Sequence, residues 1–395
     1  MSRLKPASAS RTVRRFARFA MPQVLCLIGL LAAAVPARAA DAQRQIDRAT
    51  PATGKLTIEL HNLAGNVTVV AASSDQARVS GTVHAAATSS TEAERIAGKL
   101  DVTFEQVGDK WLVKAVYPLD ETRKYVFPRR SEEESLPWFL AWLDLGNSNF
   151  KYEGRDVHVY SQPTSGALTL YADFRVEVPA GVAVTIKNGV GMVQSTGVHG
   201  TQLLDISTGE IAAEQGEGKL TADSGSGDVV IRHHNGDVSV DTGSGDVKLE
   251  AVVGDKIDID TGSGDIDLSE VTGSLDTDTG SGDIRGRDLH LGTALRADTG
   301  SGDVSFSGDL SALTKIDIDT GSGDVLLESN PASAVPQVRM EVGTGSGGIS
   351  VDMPTSRITH TSHGDVTAEI GSATGKASIS TGSGDVDLRA IHGGR

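Results

Sequence analysis

The sequence predicts an all-β protein: a parallel β-solenoid (β-helix) of about eleven coils of 18–21 residues, preceded by a β-rich, decorated N-terminal region. Three observations predict this class. The phrase Thr-Gly-Ser-Gly-Asp recurs along the chain, its second glycine returns at a nearly constant period, and apolar residues alternate with polar ones on both sides of it. Such a period is typical of stacked repeats. The marker glycines are Gly191, Gly209, Gly227, Gly245, Gly264, Gly282, Gly302, Gly323, Gly347, Gly364 and Gly384.

Residues 256–274 show how one repeat is expected to fold. Ile257 and Ile259 alternate with aspartates before the turn, and Ile266 and Leu268 alternate with aspartates after it. This period of two predicts two short strands, each with one buried face. The glycines between the strands predict a tight turn, because glycine adopts a positive φ without strain. One coil is therefore expected to be two strands and two turns, stacked in parallel on the next coil.

Residues 1–39 predict a secretory signal peptide. Basic residues precede an apolar stretch from 24 to 35, and a small-x-small sequence suited to signal peptidase ends at Ala39. The apolar stretch is too short to span a bilayer comfortably, so an exported protein of the periplasm or cell surface is expected. The one cysteine, Cys26, lies in this segment, so the mature chain is expected to fold without disulfides.

The composition is strongly acidic. The net charge is −16, and loss of residues 1–39, which hold seven basic and no acidic residues, would take it to −23. Between Asp205 and Glu328 there are 27 acidic and 8 basic residues. Such a surface repels nucleic acid and anionic lipid and attracts cations or basic partners. We therefore expect no nucleic-acid partner.

The mature chain divides by composition into a lead-in, a strand-rich part and the repeat. Residues 40–54 predict a flexible lead-in, and residues 55–180 predict an N-terminal β-rich part with an inserted irregular segment at 118–151. The Thr-Gly-Ser-Gly-Asp repeat domain is expected over residues 181–395, with a soft boundary near residue 180.

Two local elements are expected in the N-terminal part. A short helix is predicted over residues 91–99, with Ser90 or Thr91 as its N-cap and Glu94 three residues later. A hairpin is predicted around Gly108-Asp109, because alternating residues flank this turn dipeptide on both sides.

The repeat and its approach resemble a known family. Leu56-Thr-Ile-Glu-Leu, the step Val178-Pro-Ala-Gly-Val-Ala-Val and the Thr-Gly-Ser-Gly-Asp-Val ladder together are similar to the bacterial putative-adhesin family. That family is a domain of unknown function, and the resemblance implies a β-solenoid fold in an exported or envelope-associated protein. The resemblance extends over about residues 55–395 and brings no catalytic residues with it.

Aspartates should form columns, because equivalent residues of successive coils lie about 5 Å apart. Like charges at that distance repel, so something must offset the repulsion. One hypothesis is that each carboxylate accepts hydrogen bonds from turn amides and hydroxyls. The alternative is calcium bound between coils, as in a β-roll, although the Gly-Gly-x-Gly-x-Asp pattern of that fold is absent. The calcium candidates are Asp228, Asp246, Asp265, Asp283, Asp303 and Asp324.

Other motifs give weaker hypotheses. Asp-Thr-Gly-Ser, found for example at Asp260, is the active-site phrase of aspartic proteases, but its stacked copies have no facing second lobe. The pairs His360 with His363 and His233 with His234 could bind metal, yet no other soft ligand is near in sequence. We therefore expect no catalytic residue and no cofactor other than calcium.

An apolar decapeptide at 136–145 interrupts the N-terminal part. At helical spacing Trp138 and Trp142 share a face, with Phe139 and Leu143 beside them. The segment is expected to cover a side or end of the solenoid. The alternative is an exposed patch for a partner or for membrane contact.

These features favour a non-enzymatic structural or binding module of the bacterial envelope, whose partner is an envelope protein or glycan. The alternative is a β-helix enzyme acting on polysaccharide. Such enzymes need a groove with clustered carboxylates and aromatic platforms, whereas between residues 201 and 395 the sole aromatic residue is Phe306. A cleft with a non-repeating set of aspartate, arginine and aromatic residues would favour the enzyme.

The C-terminal end of the repeat predicts self-association. After Gly384 the final strand, Val386-Asp-Leu-Arg-Ala-Ile, has no helix or aromatic plug behind it. An uncovered parallel strand offers free amides and carbonyls, and such edges pair with other chains. We therefore expect end-to-end association, or docking of a partner strand, through residues 376–391.

Overall fold

Strands make up nearly all of the structure, a computed structural model that describes residues 40–52, 55–128, 147–331, 334–362 and 364–391. Within these residues 28 strands pair into one continuous sheet, and a single helix packs beside them. The prediction of an all-β protein is confirmed.

The N-terminal part mixes antiparallel and parallel pairing. The antiparallel pairs are β1 with β4, β4 with β10, β5 with β6 and β8 with β9, whereas β2 pairs in parallel with β6. The elements are β1 (Ala40–Pro51), β2 (Thr57–Ala64), β3 (Val67–Ala71), β4 (Gln76–Ala87), α1 (Ser90–Ala97), β5 (Asp101–Val107), β6 (Lys110–Val116), β7 (Lys124–Val126), β8 (Ser148–Tyr152), β9 (Arg155–Tyr160) and β10 (Leu168–Val178).

The structure contains the hairpin and the helix predicted for this part, but the helix N-cap and the lead-in differ from the prediction. The predicted hairpin is present as β5 and β6. The predicted helix is present as α1, but its N-cap is Ser89, whose hydroxyl accepts the amide of Glu92 at 3.3 Å. The segment expected to be a flexible lead-in instead forms β1, because Ala42 and Ile46 pack on the core and β4 offers a full edge. The polar residues between them hid this strand in the sequence.

The repeat forms strands that pair in parallel, one repeat upon the next. We call the strand segment before each Thr-Gly-Ser-Gly turn an A strand and the strand segment after it a B strand. One A strand and one B strand make a layer, and a long β-strand can contain the B strand of one layer and the A strand of the next. The strands are β11 (Ala183–Thr196), β12 (Gln202–Glu214), β13 (Leu220–Ser224), β14 (Val229–Asn235), β15 (Val238–Thr242), β16 (Val247–Thr261), β17 (Ile266–Ser269), β18 (Thr272–Thr279), β19 (Ile284–Thr299), β20 (Val304–Asp309), β21 (Lys315–Thr320) and β22 (Val325–Ser329).

Register places like residues in columns. Val240 of one A strand lies beside Ile259 of the next, and Asp241 lies beside Asp260. The alternating apolar residues face inward, and Ile259 is 2% exposed. The sheet runs without a break across the predicted boundary near residue 180, since β11 pairs with both β2 and β3.

The C-terminal layers are not stacked in chain order. The remaining strands are β23 (Val338–Thr344), β24 (Ile349–Asp352), β25 (Thr355–Ser362), β26 (Asp365–Ile370), β27 (Gly375–Thr381) and β28 (Val386–Ala390). β27 pairs in parallel with β21 on one flank and with β23 on the other, and β28 lies likewise between β22 and β24. The layer made by β27 and β28 is therefore inserted between two layers that precede it in sequence.

This order corrects two expectations. Residues 376–391 do not present a free strand edge, because both flanks of β27 and of β28 are paired. The marker glycine Gly364 does not belong to a parallel coil either. It lies between β25 and β26, which pair antiparallel, and β26 pairs antiparallel with β23. Period alone does not distinguish a hairpin from a coil.

Candidate functional site: two aspartate rows

The aspartate that closes each Thr-Gly-Ser-Gly-Asp turn holds the adjacent layer. Oδ1 of Asp265 accepts the backbone N–H of Asp283 at 2.9 Å, and Oδ1 of Asp283 accepts that of Asp303 at 2.8 Å. We call this row the turn ladder. Its acceptors are Asp228, Asp246, Asp265, Asp283, Asp303, Asp324 and Asp385, and its last donor is the N–H of Gly348.

Threonine and glycine make this turn stackable. The hydroxyl of Thr261 is fully buried and donates to the carbonyl of Gly245 at 3.1 Å, and Thr279 donates to that of Gly264 at 3.1 Å. A Cβ on Gly264 would lie 2.1 Å from the oxygen of Gly245, at a φ of +153°. The repeated phrase is thus explained by contacts between layers, which leave no room for a side chain at the marker glycine.

The same contacts bear on the calcium candidates of the turn ladder. The amide of Asp283, followed by the guanidinium of Arg285, holds the pKa of Asp265 below its usual range. Each ladder carboxylate thus has one oxygen engaged by the fold. In the described part of the chain no three acidic, histidine or cysteine side chains lie close enough together to hold a metal ion. Calcium binding stays a prediction.

A second row of aspartates lies on the A strands, across the same turn. We call the surface formed by the A strands the A face, the surface formed by the B strands the B face, and this row the A-face column. Its members occupy equivalent register positions in consecutive layers, so each carboxylate between the two ends of the column has a like charge on either side. The column consists of Asp205, Asp223, Asp241, Asp260, Asp278, Asp298 and Asp319.

Little offsets the charge of this column. Arg296 approaches Asp278 at 3.6 Å and Asp298 at 3.2 Å. Burial raises the pKa of Asp260, and the carboxylates of Asp278 and Asp241 raise it further. Among described residues no cation lies within 4.0 Å of five members, which are Asp205, Asp223, Asp241, Asp260 and Asp319. Burial and, less strongly, the carboxylate of Asp246 also raise the pKa of Asp228 in the turn ladder, but each turn-ladder carboxylate accepts a backbone amide of the adjacent layer.

The B strands carry mixed charges instead. Arg232 pairs with Glu250 of the next layer at 3.2 Å, and Arg389 pairs with Glu328 of the adjacent layer at 2.9 Å. Arg285 reaches Asp265 at 3.0 Å. The B face thus contains cation–carboxylate pairs that join adjacent layers, and such pairs are scarce along the A-face column.

A cluster of charges at the N-terminal end of the A face was not predicted from the sequence. Glu59 receives a hydrogen bond from His61 at 2.7 Å and an ion pair from Lys110, and Lys187 lies 3.5 Å away. Burial opposes ionisation of Glu59, yet the bonds from Lys110 and His61 outweigh it and lower its pKa to about 2. Glu59 is therefore ionised throughout the physiological range.

The cluster extends the A-face column with the opposite sign. Lys114, His61 and Lys187 occupy the register positions that lead up to Asp205. Glu153 bridges two of these side chains, with Lys114 at 3.1 Å and His61 at 3.5 Å. The A face is thus basic at its N-terminal end and acidic along the repeat. In the sequence, this reversal of charge could be recognised only as a change from basic to acidic residues at one position of the repeat. Strands that are far apart in sequence had to be aligned before that change was visible.

Glu210 is an exception within the turn row. It follows Gly209 where later repeats carry aspartate, and it is 2% exposed. Burial, with a smaller effect from Asp228, raises the pKa of Glu210 to about 8. The side chain is thus held mainly neutral at pH 7, and the turn ladder begins one layer later.

A cavity of about 550 Å³ lies where the B strands of the C-terminal layers begin. It is lined by aliphatic residues together with Asp324, Asp385, Asp387 and Arg389. Asp324 and Asp385 belong to the turn ladder, Arg389 lies 3.6 Å from Asp387 and pairs with Glu328, and no aromatic residue lines this cavity. The cavity therefore does not supply the non-repeating set expected of a polysaccharide enzyme.

Of the remaining predicted sites, the structure separates the two members of one histidine pair, and the others lie outside the residues or side chains described. His233 is exposed at a φ of +51°, whereas His234 is buried and shares a hydrogen bond of 2.8 Å between its Nε2 and the carbonyl of Gly218. The two imidazoles therefore do not share one environment. The other candidates, which lie outside the residues or side chains described, are Trp138, Phe139, Trp142, Leu143, His360 and His363.

The chain is thus a stacked, β-rich repeat with an acidic face, and comparison with known proteins agrees. Residues 205–389 match the model of the family described as Toastrack DUF4097, a domain of unknown function. The predicted resemblance is confirmed over this part of the chain. No curated protein gives a significant match.

One solved structure also matches, described as a putative cell adhesion protein from Clostridium sporogenes. It is 8% identical, and the match covers 89% of this chain and 100% of that one with a TM-score of 0.22. Within the residues that the structure describes, no helix has both the length and the apolarity needed to cross a membrane.

Proposed function

We propose that this protein is a non-enzymatic binding module, built as a parallel β-solenoid, that contacts a basic surface of another molecule through the A-face column. The observation that carries this proposal is the contrast between the two faces. Several carboxylates on the B face are paired with arginine, while those of the column repel one another and five lack a cation within 4.0 Å among the described residues.

The proposed partner is an exported envelope protein, or the basic part of a glycan, met in the periplasm or at the cell surface. The signal-peptide pattern of residues 1–39 supports export, and the family match over residues 205–389 supports a structural or binding role. A partner that brings ammonium or guanidinium groups at strand spacing would relieve the column's repulsion, and this gain exists only in the complex.

The test compares two triple variants of equal net charge. One carries Asp223→Asn, Asp241→Asn and Asp260→Asn in the A-face column. The other carries the same change at exposed aspartates outside it, which are Asp255, Asp267 and Asp288. Binding of a lysine-rich peptide to the full chain is measured by interferometry at several salt concentrations.

The column variant is expected to lose about tenfold in affinity and to show a shallower salt dependence, and the control is expected to lose much less. Equal losses in the two variants would show that only net charge matters. That result would remove the A face from the proposal.

A further inference from the structure

The inserted C-terminal layer is the most unusual feature of the stack. β27 and β28 occupy a slot bounded by β21 and β22 on one side and by β23 and β24 on the other. The residues of the slot walls precede the inserted segment in sequence. A chain that has placed β23 and β24 must therefore still admit a whole layer between them and the rest of the stack.

The slot recognises the inserted segment in detail. The N–H of Asp385 donates to Oδ1 of Asp324 at 2.8 Å, and Oδ1 of Asp385 accepts the N–H of Gly348 at 2.7 Å. Ile379 is 1% exposed, and Leu388 is fully buried between the flanking layers. None of these contacts depends on how the segment is joined to the rest of the chain. The same residues of a second molecule would make them equally well.

The connection into the slot is short and strained. Residues 371–374 cross from β26 to β27, and within them Ala373 has a φ of +50° and Gly371 a φ of +58°. A left-handed conformation is unfavourable for a non-glycine residue, because Cβ comes too close to the backbone. The crossing is held by Gln337, whose Oε1 accepts the N–H of Ser372 at 2.7 Å. Short hinge loops under strain favour exchange of the element that follows them.

We infer that two copies of this chain exchange residues 375–391, so that β27 and β28 of each copy fill the slot of the other. The partner is a second copy of this chain, and the surface is the slot between β21–β22 and β23–β24. In the closed monomer the hinge folds back, and in the dimer it opens while every strand pairing is retained. Residues 376–391 then mediate association by exchange rather than as the free edge expected from the sequence.

A disulfide reporter tests the exchange in the full chain. Asp317 and Ser378 are exposed and face each other across β21 and β27, so a D317C/S378C variant places two thiols side by side. Cys26 is replaced by serine in this background. In the closed monomer the bridge is intramolecular, whereas in the exchanged dimer it joins two chains. The protein is unfolded in urea, refolded at several concentrations, oxidised, and analysed on non-reducing gels with light scattering.

Covalent dimer is expected to rise severalfold with the refolding concentration, while S378C alone gives none under the same conditions. Ala373→Gly relaxes the hinge and is expected to lower the dimer fraction severalfold. Ala373→Pro is incompatible with the closed hinge and is expected to raise it. If the reporter stays monomeric with an intramolecular bridge at every concentration, and Ala373→Gly behaves identically, the exchange does not occur. The reporter and the glycine variant decide this point even if the proline variant fails to fold.

Discussion

Asp260 and Asp265 lie five residues apart in one turn, and they belong to different rows with opposite properties. Asp265 accepts the amide of Asp283 at 2.9 Å and pairs with Arg285 at 3.0 Å. Asp260 stands between the carboxylates of Asp241 and Asp278, and burial and these neighbours raise its pKa. The two rows have the same side chain at the same spacing. The turn ladder joins adjacent layers by hydrogen bonds, whereas the A-face column adds repulsion between them. A column that the fold does not use is the natural candidate for binding.

Glu210 gives the sharpest test of this contrast, because it holds a turn position without a ladder bond. Its pKa is about 8 in the fold and 4.5 for an ordinary glutamate. A group whose pKa is raised by folding contributes its full stabilisation at pH values below its unfolded pKa. For Glu210 this contribution is lost as the pH rises from about 4.5 to 8. Glu210→Gln should therefore change little at pH 4.5 and stabilise by about 4 kcal/mol at pH 8. Urea unfolding across this range measures the difference.

Glu214→Gln is the matched control, since Glu214 lies four residues away and is exposed. As a surface substitution it should change the free energy of unfolding by less than about 0.5 kcal/mol. A Glu210→Gln variant that is equally destabilised at both ends of the range would mean that the carboxylate makes a specific contact, and the account of its burial would be wrong.

The second test removes one rung of the turn ladder. Asp265→Ala leaves the amide of Asp283 without its acceptor and should destabilise by about 1–2 kcal/mol. Asp265→Asn retains an oxygen in the same place and should restore most of the loss. Because the pKa of Asp265 is lowered in the fold, its contribution is present above the unfolded value of 3.8 and is lost as pH falls below it. Equal effects of alanine and asparagine would argue against the bond.

The layers could be predicted from the sequence because every repeat has the same alternation of apolar and polar residues around the same turn. The alternation around Ile257 and Ile266 predicted strands and their buried faces, and the hypothesis that turn carboxylates accept amides is borne out by bonds such as that from Asp283 to Asp265. The donor is the next layer, which the turn sequence alone does not specify.

The order of the C-terminal layers could not be predicted, because the segment with Ile379 and Leu388 has the same pattern as any other repeat. A repeat pattern tells which residues stack, but every layer offers the same partners. The irregular steps around Gly347, of 24 residues before it and 17 after it, were the one trace of the excursion. The charge cluster around Glu59 was missed for a related reason, since His61, Lys110 and Lys187 come together from three separate strands.

The smallest expected effect concerns the A-face column itself. Asp260→Asn removes one of three adjacent like charges and leaves the hydrogen bonds of the turn ladder intact, so it should stabilise rather than destabilise. The group is exposed, and solvent screening limits the gain to a few tenths of a kcal/mol at low salt. Its raised pKa gives the same sign, because the contribution of Asp260 is present below pH 3.8 and is lost as pH rises.

The stabilising effect of Asp260→Asn should therefore appear at pH 7 and vanish both near pH 3 and in molar salt, where the screening length is about 3 Å. Thermal unfolding of the native chain, Asp260→Asn and Asp265→Asn in low and high salt measures it. Asp265→Asn is the matched comparison, because it makes the same change of charge in the turn ladder, where the carboxylate is already held by an amide and an arginine. Loss of stability in Asp260→Asn at low salt would show that the column supports the fold, and the distinction between the two rows would then fail.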